Sequence, residues 1–239
     1  MALSALIGAA AATAAAGSLA YAALAPESQI FGATLIAPRR PGEIALTFDD
    51  GPNPAATPRL LEVLARHNVR VTFFLLGRFV QAQPGLVRET AAAGHLIGSH
   101  SMTHPWLPFV SNARVRQELV DSNAVLEDTL GAPIRFLRPP HGARRPYVLR
   151  AARELGLIPV QWNIICGDWN PVAPETILAR AARGIQRNQR RGRASNIVLH
   201  DGGHLALNAD RLATVEATNL LLQQFSATKQ FVTVDAWAE

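Results

Sequence analysis

From Ile44 onward, short apolar runs rich in β-branched residues alternate with longer segments whose apolar positions recur at helical spacing. The pattern predicts strands at Ile44–Phe48, Arg70–Leu75, His95–Ser99, Phe136–Arg138, Ile158–Asn163, Asn196–Leu199 and Phe231–Val234. Helices are predicted between them at Pro58–His67, Pro84–Ala93, Asn112–Leu130, Pro146–Leu155, Pro174–Gln186 and Arg211–Gln224. Several open on proline, which suits a first helical turn because the N–H it lacks has no partner there. Strand–helix alternation implies an α/β fold of mainly parallel strands covered by helices. About seven strands in roughly 195 residues fit one small or irregular barrel better than two domains. No low-complexity linker follows Pro41, and no repeat is visible.

The first 25 residues carry no charge and are dominated by alanine. That length could span a bilayer, and Ala23-Leu24-Ala25 before Pro26 has the form of a signal-cleavage site. The first cation is Arg39, so the basic leader of a secretory signal is missing. An uncleaved anchor is the favoured reading, ahead of a cleaved signal and of a soluble alanine-rich helix. Residues 1–25 are therefore set apart from the fold, 26–42 are read as a linker and 43–239 as the domain. Residues 1–38 are expected to be dispensable for catalysis.

Composition narrows the chemistry. With 49% apolar and 17% charged residues the chain can bury a real core. Its single cysteine, Cys166, excludes an intrachain disulfide and any multi-cysteine zinc cluster, so a metal would have to be held by histidine and carboxylate. The net charge of +5 is almost all arginine, Lys229 being the only lysine. Six arginines lie within residues 180–193: Arg180, Arg183, Arg187, Arg190, Arg191 and Arg193. No aromatics are interleaved for base stacking, so this run is read as a solvated outer helix face and not as a nucleic-acid surface.

The polar residues cluster just beyond the C-terminal ends of predicted strands, where barrels place chemistry. Asp49 and Asp50 follow the first strand, His100 and His104 the third, Arg138 closes the fourth, Asp168 follows the fifth and His200 ends the sixth. In His100-Ser101-Met102-Thr103-His104, the spacing lets two imidazoles face one ion if the segment makes a helical turn, with Pro105 stopping it. Two histidines and one carboxylate bind Zn²⁺ and leave positions open for water and substrate. A second aspartate is then free to take a proton from water that the ion acidifies.

Five motifs in this order, Thr47-Phe48-Asp49-Asp50-Gly51-Pro52, His100-Ser101-Met102-Thr103-His104, Arg138-Pro139-Pro140-His141-Gly142, Asp168-Trp169 and Val198-Leu199-His200, resemble those of the polysaccharide deacetylase family, metal-dependent carbohydrate esterases with a NodB-like domain. The resemblance covers about Glu43 to Val234. It implies a distorted (β/α) barrel that removes N-acetyl groups from N-acetylglucosamine glycans of chitooligosaccharide or peptidoglycan type. It further implies Asp49 as general base, with Asp50, His100 and His104 as ligands of one divalent ion, zinc first and cobalt, nickel or manganese as alternatives. Arg138 would hold Asp49 in place, His200 would be the general acid, and Asp168 would orient and charge it. Pro139, Pro140, His141, Gly142, Trp169 and Val198 would line the substrate groove. Two departures stand out: His141 replaces a frequent aromatic and brings a titrating group, and Val198 is smaller than the usual leucine where the acetyl methyl would pack. An acetylated glycan is thus the expected partner and a monomer the expected state. Because such polymers lie outside the cytoplasm, an anchored or secreted location follows from the substrate class.

The same site could cleave O-acetyl esters, or belong to an inactive glycan-binding relative. An iron oxygenase also uses two histidines and a carboxylate but has no need of Asp49, Arg138 or the Asp168–His200 pair. His67 and His95 are read as packing or surface residues, Cys166 as a buried filler, and Trp106 and Phe109 as either packing or sugar-contacting aromatics. His204 is a candidate for the mouth of the site.

Overall fold

The computed structural model describes residues 16–238. They form one distorted (β/α) barrel. Residues 16–24 are helical (α1), and β1 follows at Glu43–Gly51. Next come α2 (Thr57–Arg66), β2 (Thr72–Leu75), α3 (Gly77–Ala82), α4 (Pro84–Ala92), β3 (Leu96–Ser99), α5 (Asn112–Leu130), β4 (Phe136–Leu137) and α6 (Pro146–Glu154). The chain continues through β5 (Ile158–Pro159), β6 (Ile164–Ile165), α7 (Pro174–Arg190), β7 (Ser195–His200), α8 (Leu212–Phe225) and β8 (Gln230–Phe231). The strands are parallel in the order β5-β4-β3-β2-β1-β7-β6, with β8 paired to the start of β1.

The helices form for local reasons. Pro84, Pro146 and Pro174 open α4, α6 and α7, while α5 starts on Ser111, whose hydroxyl accepts from the Arg114 amide, and stops at left-handed Gly131. Alternation along β1 sends Ile44, Leu46 and Phe48 into the large cluster beneath the helices, with Leu60, Leu64, Leu221 and Leu222. Ala45 belongs to a second cluster with Phe74, Phe136 and Val160. By the two-residue period of a strand, Thr47 and Asp49 share the face of Ala45.

Two expectations change here. The strand predicted at Ile158–Asn163 shortens to Ile158–Pro159, and a separate short strand, Ile164–Ile165, lies at the opposite end of the sheet, because the chain crosses the seam of the barrel between them. Polar side chains satisfy the backbone at that crossing: Asn163 and Asn196 pair through Asn196 N–H and Asn163 Oδ1 at 2.9 Å, and Asn196 Nδ2 donates to the carbonyls of Ile36 and Gln161. The segment expected as a linker lies in the same seam. Leu35 bridges to Val160, and the Ala194 N–H donates to Pro38. Buried Arg144 donates to the carbonyls of Ala25 and Ser28, and Arg193 pairs with Glu27 at 2.6 Å. The helix α3 has no counterpart among the predicted ones, being only six residues long.

Most of the N-terminal apolar stretch, residues 1–15, lies outside the described residues. Among the described residues no helix is long and apolar enough to cross a membrane.

Candidate active site

Neighbouring residues on a strand point to opposite faces, so an Asp-Asp pair would ordinarily split between core and site. In β1 the pairing register with β2 shifts between Asp49 and Gly51, and Asp50 takes φ 71°. This kink lets both carboxylates line one cavity of about 310 Å³, together with His100, His104, His141, Trp162, Ile165, Trp169, Val198, His200 and His204. Ser101, His104 and His141 also have positive φ. With Asp50 they concentrate left-handed, non-glycine backbone around the cavity, a conformation kept only where surrounding contacts enforce it.

The two histidines of the predicted pair do meet, though through a loop and not a helical turn. His100 follows β3 directly, and its Nδ1 lies 2.7 Å from the Arg138 carbonyl, which can only accept. Nδ1 therefore carries the proton and Nε2 offers its lone pair to the cavity. The turn from Ser101 to His104 is tethered by buried Glu118 of α5, which accepts from the Thr103 N–H at 2.8 Å and its hydroxyl at 2.6 Å. Glu118 was not singled out from the sequence, although a carboxylate on the buried stripe of a helix, beside Val115 and Leu119, is the available signal.

His104 Nε2 and His100 Nε2 stand 3.3 and 3.6 Å from Asp50 Oδ1. Ligand atoms about 2.1 Å from a tetrahedral ion are about 3.4 Å apart, so this spacing fits a divalent cation. Asp50 Oδ1 is buried and accepts no hydrogen bond, which fits the same role. Among the described residues these three form the one group of His, Cys and acidic side chains spaced to hold a metal. Burial, with His100 nearby, pushes the His104 pKa down to about 2 against the pull of Asp50. Its imidazole is thus neutral, the form that ligates. Burial raises the Asp50 pKa, but His204, His100, His200 and His104 together bring it well below the usual carboxylate range.

Asp49 is held from the other side. Fully buried Arg138 donates to Asp49 Oδ1 at 2.8 Å and has Thr47 Oγ1 at 2.6 Å, with its guanidinium over the Phe74 ring at 4.3 Å. Asp49 and His200 are register partners on β1 and β7. His200 Nδ1 lies 3.0 Å from Asp168 Oδ1, while Asp168 Oδ2 accepts from the His200 backbone N–H at 2.7 Å and from Thr214 Oγ1 at 2.9 Å. Burial alone would lower the His200 pKa, yet Asp168, backed by Asp50 and Asp49, pushes it up to about 9. The cavity thus pairs a cation-sized ligand set with a carboxylate on one strand and a protonated imidazole on the next.

The remaining predicted residues divide. Trp169 packs edge-on against the His200 ring at 5.3 Å and Val198 lines the floor. His141 lines the cavity under a stacked Trp106, ring centroids 3.9 Å apart, and burial pushes its pKa down to about 4. Pro139, Pro140 and Gly142 are buried and do not line the cavity; they form the loop that presents His141. Gly142, at φ 64°, leaves no space for a Cβ, which would lie 2.6 Å from Trp162. His204 reaches the cavity and stacks on His104 at 4.3 Å.

Outside the site, His95 accepts from the Val71 N–H and packs on Phe73, and His67 lies 3.1 Å from Asn219 Oδ1, as packing residues would. Buried Cys166 has its thiol pushed up to about 12 by burial and by Asp168, far from a nucleophile's range.

Residues 37–160 match the polysaccharide deacetylase family. The chain is similar to a peptidoglycan-N-acetylglucosamine deacetylase of Bacillus cereus, 37% identical over 177 residues, covering 73% of this chain and 62% of the relative. It therefore spans less than two thirds of that relative's length. A chitooligosaccharide deacetylase of Sinorhizobium fredii is 34% identical over 176 residues, 73% of this chain and 77% of the relative. Among solved structures, a peptidoglycan N-acetylglucosamine deacetylase in complex with 4-naphthalen-1-yl-N-oxidanyl-benzamide aligns with a TM-score of 0.75 at 32% identity, over 84% of this chain and 89% of that one. With the motifs, the barrel and these relatives in agreement, the chain belongs to the polysaccharide deacetylase family.

Proposed function

We propose that this protein is a metal-dependent hydrolase that removes N-acetyl groups from N-acetylglucosamine-containing glycans. The observation that carries the reading is the meeting, in one cavity, of the Asp50–His100–His104 ligand set, the Arg138-held Asp49 and the Asp168-backed His200. Relatives that are peptidoglycan-N-acetylglucosamine and chitooligosaccharide deacetylases support glycans of these two kinds as substrates.

Asp50, His100 and His104 would hold one divalent ion, and the nitrogen-rich donor set favours zinc. When bound, that ion polarises the acetyl carbonyl and lowers the pKa of water. Asp49 accepts the proton of the attacking water, its free oxygen turned toward the cavity because the other is taken by Arg138. An amine is a poor leaving group unless protonated, and His200 supplies that proton through the ring nitrogen opposite Asp168. A charged His200 at neutral pH suits amide cleavage more than ester cleavage, where an alkoxide leaves with less help. Trp169 and Val198 border the space for the sugar and the acetyl methyl. An extracytoplasmic location, reached by an anchor or signal within residues 1–25, fits such a substrate.

Acetate release from a panel of N- and O-acetylated glycans, with and without chelator, tests the reading. Chelator-sensitive release from N-acetylated polymers is expected. Release from O-acetyl esters alone would replace the amide reading.

A further inference from the structure

We propose that an arginine-lined groove beside the catalytic cavity binds carboxylates carried by the substrate glycan, so that acidic glycan strands are preferred over neutral ones. The inference rests on the deacetylase reading of the cavity. The groove, about 440 Å³, lies between α7, β6 and the Pro26–Glu27 segment. Trp162 and Ile165 line both spaces, so the groove adjoins the catalytic cavity along β6.

Its charge is one-sided. Arg180, Arg183 and Arg187 fall on one face of α7, and none of them forms an ion pair among the described residues. The one acid in the lining, Glu27, is already paired with Arg193 at 2.6 Å. Two of the guanidiniums are held in position by backbone: Arg180 donates to the Cys166 carbonyl at 2.7 Å and Arg187 to the Asn163 carbonyl at 2.9 Å. Neutral carbonyls fix these forks without cancelling their charge, and each fork keeps further N–H donors for an anion. Gly184 makes this possible, because a Cβ there would sit 2.7 Å from Ile164 and push the arginine-bearing helix away from β6. A fixed guanidinium fork matches the planar, bidentate geometry of a carboxylate and loses little side-chain entropy on binding it. The run expected as a plain solvated helix face is thus partly built into a concave, cationic surface next to the chemistry.

The test compares acetate release by the metal-loaded full chain from peptidoglycan strands with free carboxylates and from the same strands after amidation of those carboxylates. Arg183→Gln, exposed and without a backbone partner, and the double variant Arg183→Gln/Arg187→Gln are measured beside it, with melting temperature as a folding control. KM for the acidic strand should rise about tenfold in the double variant, the worth of one charge-assisted hydrogen bond, while the amidated strand is unaffected. Equal effects on both strands, or none, overturn the proposal. So does loss of binding to anionic phospholipid vesicles with unchanged glycan kinetics, which would assign the groove to a membrane surface. If the parent chain releases acetate from neither strand, the deacetylase reading fails, and co-sedimentation with acidic strands that depends on Arg183 and Arg187 would still support the groove.

Discussion

Asp49 and His200 sit opposite each other across the β1–β7 ladder, one a carboxylate clamped by Arg138 and the other an imidazole charged by Asp168. Parallel register therefore puts the proposed proton acceptor and the proposed proton donor at the same level of the sheet.

The adjacent aspartates should separate cleanly by phenotype. Asp49→Asn is expected to retain the metal and lose about 10²–10⁴-fold in rate, the usual share of a general base. Asp50→Asn should lose metal and rate together, since a three-ligand site has no spare donor. Metal content measured alongside turnover decides the assignment, and an exchange of the two phenotypes would reverse the roles.

His200 predicts a pH limb. Its raised pKa keeps the donor protonated at neutral pH, and the proton is lost as pH rises through about 9, so the rate should fall there. Asp168→Asn removes the main charge that holds the proton and should move the limb down toward about 6.5, with amides affected more than esters. The same pair stabilises the fold fully below about pH 6.5 and progressively less up to about 9. Melting curves across that window should therefore decline in the parent chain and stay flatter in Asp168→Asn. An unmoved limb would exclude His200 as the donor.

Glu118 bonds to Thr103 next to the ligand His104, and so ties down the turn that aims it. Glu118→Ala should weaken metal affinity by about 10–100-fold, as loss of an outer support commonly does. Glu118→Gln, which keeps one acceptor, should recover part of it. Titration with zinc and a competing chelator reads both, and unchanged affinity would show that the turn holds its shape without the tether.

Truncation should be tolerated only up to a point. Removing residues 1–15 takes away no chemistry-bearing side chain and should leave the rate unchanged. Removing 1–38 strips buried Arg144 and Asn196 of backbone acceptors and opens the seam, so a fall in melting temperature of about 10 °C or insoluble protein is expected. A soluble, active product of the longer deletion would show that the seam closes without this segment.

Alternating apolar runs, proline at helix starts and polar residues clustered after strands determined the class of fold and marked the candidate residues of the site, because these signals are local. Strand and helix periods are carried by neighbours in sequence, and the Asp-Asp, His-x-x-x-His and Arg-Pro-Pro-His spacings each lie within a few consecutive residues. Tertiary structure alone decided how those segments converge. Nothing local says that Asp50 must turn left-handed so that both carboxylates share one cavity, that the Arg138 carbonyl sets the proton of His100, or that Glu118 holds the turn carrying His104. The same holds for residues 26–42, whose composition reads as a linker and whose backbone closes the seam. Each of these depends on hydrogen bonds and charges between residues far apart along the chain, and such contacts exist only once the barrel has brought them together.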